Sequence, residues 1–222
     1  MDSGHAGRYF SGFECSKHGQ AGSSPKRPTI LASTKANEGD RADLVCAILC
    51  PMEKVIDTGR MLLRRFTADD VDAFFELCSR PEIIRYAQAT PLASRAAALE
   101  FMHSAPFQDY ATYGYGRFAC VWKPTGAVIG FSGIKHVPEI NENELGYRFL
   151  PEYWGLGLAT EAGRASIEFA RSQLGLKRLV AMVHPENAAS AQVLGKLGFS
   201  IEKQLRYSGL PDIDINLFSR DL

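Results

Sequence analysis

The sequence predicts an α/β domain built on a mixed sheet with helices packed against it. Three observations carry this expectation. Short apolar runs of strand length alternate with segments of helical periodicity, Gly and Pro turn signals separate them, and one strand passes through two closely spaced glycines directly into a helix.

In chain order, RMLLRRF (60–66) is the first strand, and Thr67 with TADD forms a capping-box start for a helix running to about Cys78. Pro81 breaks the pattern. After the QATPLAS loop, Ser94 caps a second helix that ends near His103. GYGRFACVWK and AVIGFSGIKHV are strands joined by the KPTG turn, and ELGYRFL continues the sheet. The glycine junction YWGLGLAT leads into EAGRASIEFARSQLG, whose Ala162, Ile167, Phe169 and Ala170 are followed by a Gly175 stop. KRLVAMVHP is a strand, NAASAQVLGKL a helix, and FSIEKQLRY with DIDINLFSRDL a closing pair of strands.

At 222 residues and 45% hydrophobic content, the chain can build one sizeable core and carry a tail. Lys+Arg and Asp+Glu both number 25, and this balance argues against duplex nucleic acid as a bulk electrostatic partner. No apolar run reaches the roughly 18 to 20 residues of a membrane-spanning helix. Five scattered cysteines suit a reducing compartment, so the expected location is the cytoplasm. Composition shifts near residue 52. Residues 1–51 read as a disordered N-terminal extension and 52–222 as the folded domain. Cys15, His18, Cys46 and Cys50 invite a metal reading, but no second compact ligand pair completes it, so no metal is expected.

The glycine junction has two readings. Glycine accepts positive φ, so Gly155 and Gly157 can form a plain tight turn. Alternatively, the first amides of a helix lack internal partners and, with the helix dipole, bind an anion. No Ser, Thr, Asp or Asn stands at Leu156 to Leu158 to cap the helix, which suits capping by a ligand. A Rossmann site fits poorly because Thr160 stands where the third glycine is needed, and no Walker sequence exists.

With TGRMLLRRFTADDVDAFFEL, YWGLGLATEA and HPENAASAQVLGKLGF in that order, the chain from about Thr58 to Leu222 resembles the GCN-related N-acetyltransferase (GNAT) superfamily, in its RimJ/RimL-like branch. The resemblance implies a mixed sheet whose central strands, here ELGYRFL and RLVAMVH, splay apart to admit acetyl-CoA. It places the pyrophosphate on backbone amides of the junction. The family pattern falls on Trp154, Gly155, Leu156, Gly157, Leu158 and Ala159, with Thr160 in the same first turn. Trp154 replaces the usual polar residue and Leu156 a frequent Lys or Arg, which removes a side-chain cation. Asn187 is an N-cap by residue type and, by resemblance, a pantetheine contact. A strand amide near Tyr147 would help the oxyanion.

An ammonium acceptor must lose a proton before it attacks a thioester. Glu144 lies in the strand before the junction, about where other superfamily members place a glutamate base; Glu142 and Glu152 are alternatives. For expulsion of the CoA thiolate, many members use a tyrosine at a position that is Leu194 here, and Ser190 aligns with the serine of RimL-type enzymes. Ser190 also occupies an ordinary first-turn position. Tyr113, Tyr115 and Tyr147 alternate as packed strand residues, His136 and His184 end strands, and Cys78 and Cys120 read as core.

The resemblance suggests a primary amine acceptor, an α-amino group of a protein or a small molecule, in a monomer or homodimer. Physical chemistry favours the α-amine. With a pKa near ~7.8 it is about one-seventh neutral at pH 7, against roughly one part in ~2,500 for lysine near ~10.4. A CoA-binding module without turnover and a longer acyl-CoA are the alternatives.

Overall fold

The protein is described here by a computed structural model, which covers residues 54–87 and 90–222. The expected extension at 1–51, with Cys15, His18, Cys46 and Cys50, lies outside the described residues.

Eight strands form one sheet in the order β1-β2-β3-β4-β5-β6-β8-β7. They are β1 (Lys54–Asp57), β2 (Met61–Arg64), β3 (Arg117–Trp122), β4 (Val128–Val137), β5 (Glu142–Phe149), β6 (Arg178–Val183), β7 (Ser200–Tyr207) and β8 (Leu210–Asp221). Every neighbouring pair is antiparallel except β5 and β6. Among the described residues there are six α-helices: α1 (Val71–Ser79), α2 (Pro81–Ile84), α3 (Arg95–Met102), α4 (Gln108–Tyr113), α5 (Leu158–Ser172) and α6 (Ala188–Lys196). The predicted element order stands, with three corrections. Strand β1 precedes the first one read from sequence, the short helix α2 begins at Pro81 where only a break was expected, and the helix capped by Ser94 continues beyond His103 through a wide turn (His103–Phe107) into α4. Pro106 sits inside that wide turn, where the loosened hydrogen-bond pattern tolerates a residue without an N–H.

Local chemistry explains the ends of these elements. The Thr67 amide donates to Asp70 Oδ2 at 2.8 Å, as the capping-box reading expects. Ser94 Oγ accepts from the Ala97 amide and Asn187 Oδ1 from the Ser190 amide, each at 3.1 Å. The core is laid down on both sides of the sheet. Ala119 and Phe131 pack with Phe74, Leu77, Ala98 and Met102 of α1 and α3, while Leu145, Ile134, Leu179 and Ala181 pack with Ile167, Ala170 and Leu194 of α5 and α6.

The strand placement of Tyr113 and Tyr115 is corrected by the same geometry. Strand β3 begins only at Arg117, so Tyr113 closes α4 and is exposed, while Tyr115 packs against the core as expected and its hydroxyl donates to Asn143 Oδ1 at 2.8 Å. Gly114 at φ 78° ends the helix between them. Cys78 and Cys120 are buried thiols outside any disulfide, as expected, and burial pushes both up from the usual thiol range.

Arg64 and Asp70 form a buried bidentate pair, with contacts of 2.7 and 2.8 Å, that ties β2 to the start of α1. Burial works against the Asp70 charge, but the Arg64 guanidinium and the Thr67 amide outweigh it and hold the carboxyl below its usual range. Its stabilisation is therefore complete above the unfolded-state pKa near ~4 and is lost as pH falls through the lower folded-state value. Asp70→Asn should lower unfolding free energy at neutral pH by about 3 kcal/mol, because it strands the buried guanidinium. Denaturant titration measures this, and the gap from the unsubstituted chain should shrink in acid.

Candidate active site

Strands β5 and β6 share a single register pair, Glu144 with Val180, whereas β4–β5 has eight pairs and β6–β8 six. Below that pair the strands are held together by Arg178, whose Nε donates to Glu142 Oε1 at 3.1 Å and whose Nη2 reaches Glu202. Beyond it the ladder stops. The sheet thus opens between β5 and β6 toward their C-terminal ends, where the resemblance placed the splay.

The glycine junction lies beyond the end of β5. Gly155 and Gly157 have φ of 75° and 77°, left-handed values that only glycine adopts freely. Gly157 is the N-cap of α5 and supplies no side chain to cap it. The first intrahelical bond is Glu161 N–H to Gly157 O at 3.1 Å, so the amides of Leu158, Ala159 and Thr160 precede the helical ladder. A Cβ on Gly155 would meet nothing within 4 Å, and one on Gly157 would meet only Arg60 Nη2 at 3.8 Å. The junction therefore faces open space. Alongside runs a groove of about 640 Å³ lined by Asp57, Thr58, Arg60, Gly157, Thr160, Glu161, Arg164, Ala165 and Lys196.

The predicted residues divide by what they offer. The Leu158 side chain is buried in the core and leaves only its amide to the site, whereas Leu156 is exposed. Trp154 is half exposed, and its indole N–H donates to Phe149 O at 2.7 Å, so it braces the loop against β5. Leu194, the position of the usual tyrosine, is fully buried and packs in the core. Asn187 caps α6, which orients Ser190.

Ser190 meets a residue valued at first only for its amide. Ser190 Oγ lies 3.0 Å from the Tyr147 hydroxyl, which also donates to Ser190 O at 3.1 Å. Burial pushes the Tyr147 phenol up to about 12, against the opposing pull of the Ser190 contact, so it keeps its proton through neutral pH. Glu144, three residues earlier, projects from the opposite face of β5, is buried, and accepts from Arg117 Nη2 at 2.6 Å. The alternatives are engaged elsewhere. Glu142 holds Arg178, and Glu152 pairs with Arg80 at 2.6 Å on the surface. His184 accepts from the Glu186 amide and packs against Tyr86, and His136 packs against Tyr113.

Arg60 was missed. Its Nε donates to Glu161 Oε2 at 2.7 Å and its Nη1 to Leu156 O at 2.9 Å, while the Thr58 hydroxyl donates to Glu161 Oε1 at 2.7 Å. These contacts pin the junction to the start of β2. The only sequence signal was the TGR triplet ahead of an apolar run, and a partner 101 positions away is invisible to local pattern. Arg164 and Lys196 also line the groove and bring the cationic charge that Leu156 lacks.

Residues 60–200 match the model of the acetyltransferase (GNAT) domain family. The chain belongs to that family. It is 31% identical over 175 residues to the uncharacterised N-acetyltransferase YoaA of Bacillus subtilis, covering 76% of this chain and 97% of that protein. An acetyltransferase from Agrobacterium tumefaciens superposes with a TM-score of 0.64 at 25% identity, covering 77% and 94% of the two chains. The fold is shared with Mycobacterium smegmatis RimJ, solved with CoA-disulfide, at a TM-score of 0.63, 21% identity and coverage of 75% and 86%. This protein is accordingly a GNAT N-acetyltransferase, and enzymes of this family use acetyl-CoA. Among the described residues, no helix is long and apolar enough to cross a membrane.

A branched side chain at Gly157 would project into the open face of the junction and strain its backbone. Gly157→Val should weaken acetyl-CoA binding at least tenfold, or ~1.4 kcal/mol, in calorimetric titration, with circular dichroism reporting that the variant is folded. Unchanged affinity would rule out an amide cradle here.

Proposed function

We propose that this enzyme moves the acetyl group of acetyl-CoA to an α-amino group by direct attack in a ternary complex. The observation that carries the reading is the placement of Glu144 and the Tyr147–Ser190 pair on opposite faces of β5, beside the break in the β5–β6 ladder. Glu144 takes the ammonium proton of the acceptor, and the neutral amine attacks the thioester carbonyl. The oxyanion is stabilised by an amide near Tyr147. On collapse, the leaving thiolate accepts a proton from the Ser190 hydroxyl as Tyr147 passes its own proton to Ser190 Oγ, and the phenol is then reprotonated from solvent. Backbone amides of Gly157 to Thr160 hold the pyrophosphate, and Asn187 contacts the pantetheine arm.

For the acceptor, an exposed protein N-terminus comes first, because its amine is neutral far more often near pH 7 than a lysine. A small-molecule amine is the second source. Buried thiols at Cys78 and Cys120, neither in a disulfide, suit the reducing cytoplasm as the place of work. Residues 52–222 are the catalytic unit in this reading, and removal of 1–51 should leave both a cooperative thermal transition and the transfer rate. Loss of either moves the domain boundary upstream.

Glu144→Gln should lower kcat at least ~100-fold while acetyl-CoA affinity stays within about twofold, since the base acts on the acceptor and not on the donor. A chain with no turnover before substitution would be a binding module. If Tyr147 and Ser190 act as one donor unit, the double variant Tyr147→Phe with Ser190→Ala should be no slower than the worse single variant.

A further inference from the structure

On the sheet face that carries Glu144, positive charge exceeds the carboxylates that answer it. Arg117 stands opposite Gly133 of β4, which in turn stands opposite Gly146 of β5. With no side chain on either strand to obstruct it, the guanidinium extends across both, and a Cβ on Gly146 would fall 2.6 Å from Arg117 Nε. Its Nη2 serves Glu144, its Cζ lies 5.6 Å from the centre of the Phe131 ring, and its Nε is buried without a hydrogen-bond partner among the described residues.

Lys135 is the direct cross-strand partner of Glu144 and projects from the same face. It makes no ion pair within 4.0 Å among the described residues, and burial, then Arg117, lower its ammonium pKa. Asp109, the other nearby carboxylate, is pushed up by burial against the pull of Lys135, Arg117 and His136, which weakens it as a counter-charge. The β7–β8 tip closes this face. The Ser208 amide and hydroxyl donate to Glu139 at 3.1 and 2.5 Å, and Tyr207 lies within electrostatic reach of Glu144 and Arg117.

Proton transfer sharpens the imbalance. When Glu144 takes a proton from an acceptor ammonium, the carboxylate becomes a neutral acid, the ammonium becomes a neutral amine, and Arg117 loses its counter-charge. An acceptor with its own carboxylate restores it. We infer that the acceptor is an amine bearing a carboxylate a few bonds from the reacting nitrogen, and that Arg117 and Lys135 bind that carboxylate. This rests on Glu144 being the base. Two sources carry the chemistry: a peptide whose first residue is Asp or Glu, and a free amino acid. Polyamines are disfavoured by the same charges.

The test uses the full chain with saturating acetyl-CoA and follows thiol release. Glu-Ala-Ala-amide should exceed Gln-Ala-Ala-amide at least tenfold in kcat/KM if a peptide is the source, alanine should exceed alaninamide if an amino acid is, and spermidine should be slowest in either case. Lys135→Met should bring the favoured ratio to within about twofold of one. A ratio unmoved by that substitution, or neutral or polycationic acceptors that match the acidic ones, would overturn the inference. A second measurement does not depend on turnover. Titration of the CoA-loaded protein should show N-acetyl-Glu-Ala-Ala-amide or N-acetylalanine binding at least tenfold tighter than its neutral amide counterpart. Equal affinities in both pairs overturn the anion site, whereas selective binding without transfer supports it and sinks the catalytic reading of Glu144.

Discussion

The join between β5 and β6 is the constraint on which the rest of the molecule depends. It is the one parallel contact in an otherwise antiparallel sheet, and it is reduced to the Glu144–Val180 pair. Backbone amides and carbonyls are obligatory hydrogen-bonding groups, so a ladder that stops inside a sheet leaves donors and acceptors to be satisfied by water or a ligand. The opening does not collapse, because each strand is firmly paired on its other side, β5 to β4 and β6 to β8. Arg178 closes the lower end by holding Glu142 and Glu202 at once. The break therefore has a defined position, with Glu144 on one face and Tyr147 on the other.

The second structural requirement is a helix start that stays uncapped by its own chain. Gly157 occupies the N-cap without a side chain, and the backbone at Gly155 and Gly157 is left-handed, with open space where a Cβ would stand on Gly155. Such a loop would be mobile if held only at its ends. Arg60 prevents this by taking the Leu156 carbonyl with one nitrogen and Glu161 with another, while Thr58 completes the attachment of Glu161. These bonds fasten the junction, and the N-cap itself stays without a side-chain acceptor.

Charged side chains gather in two groups. Arg60, Arg164 and Lys196 surround the groove beside the junction, whereas Glu144, Arg117 and Lys135 share the opposite side of the opening. Gly146 has a steric role in this second group. A Cβ there would collide with the guanidinium, so the empty position lets Arg117 reach Glu144, whereas a Cβ on Gly133 would meet the backbone at Gly116 and Arg117.

Much of this was legible in the residues. Periodicity and capping identified most helices and strands, because hydrophobic pattern and N-cap chemistry act over a few neighbouring positions. The two glycines before a helix that lacks a side-chain cap were also legible, because turn and cap chemistry are local. The continuation of the helix past His103 was missed because Pro106 reads locally as a stop, and only the wider turn accommodates it. What local pattern could not reveal were partners distant in sequence: Arg60 with Glu161, Arg117 with Glu144, and Tyr147 with Ser190. The sequence by itself determined the class of fold and the glycine turn into a helix at the junction, since both follow from short-range spacing. Tertiary structure decided which charges share a face and which hydroxyls meet, because those depend on strand register and on the point at which the β5–β6 ladder stops.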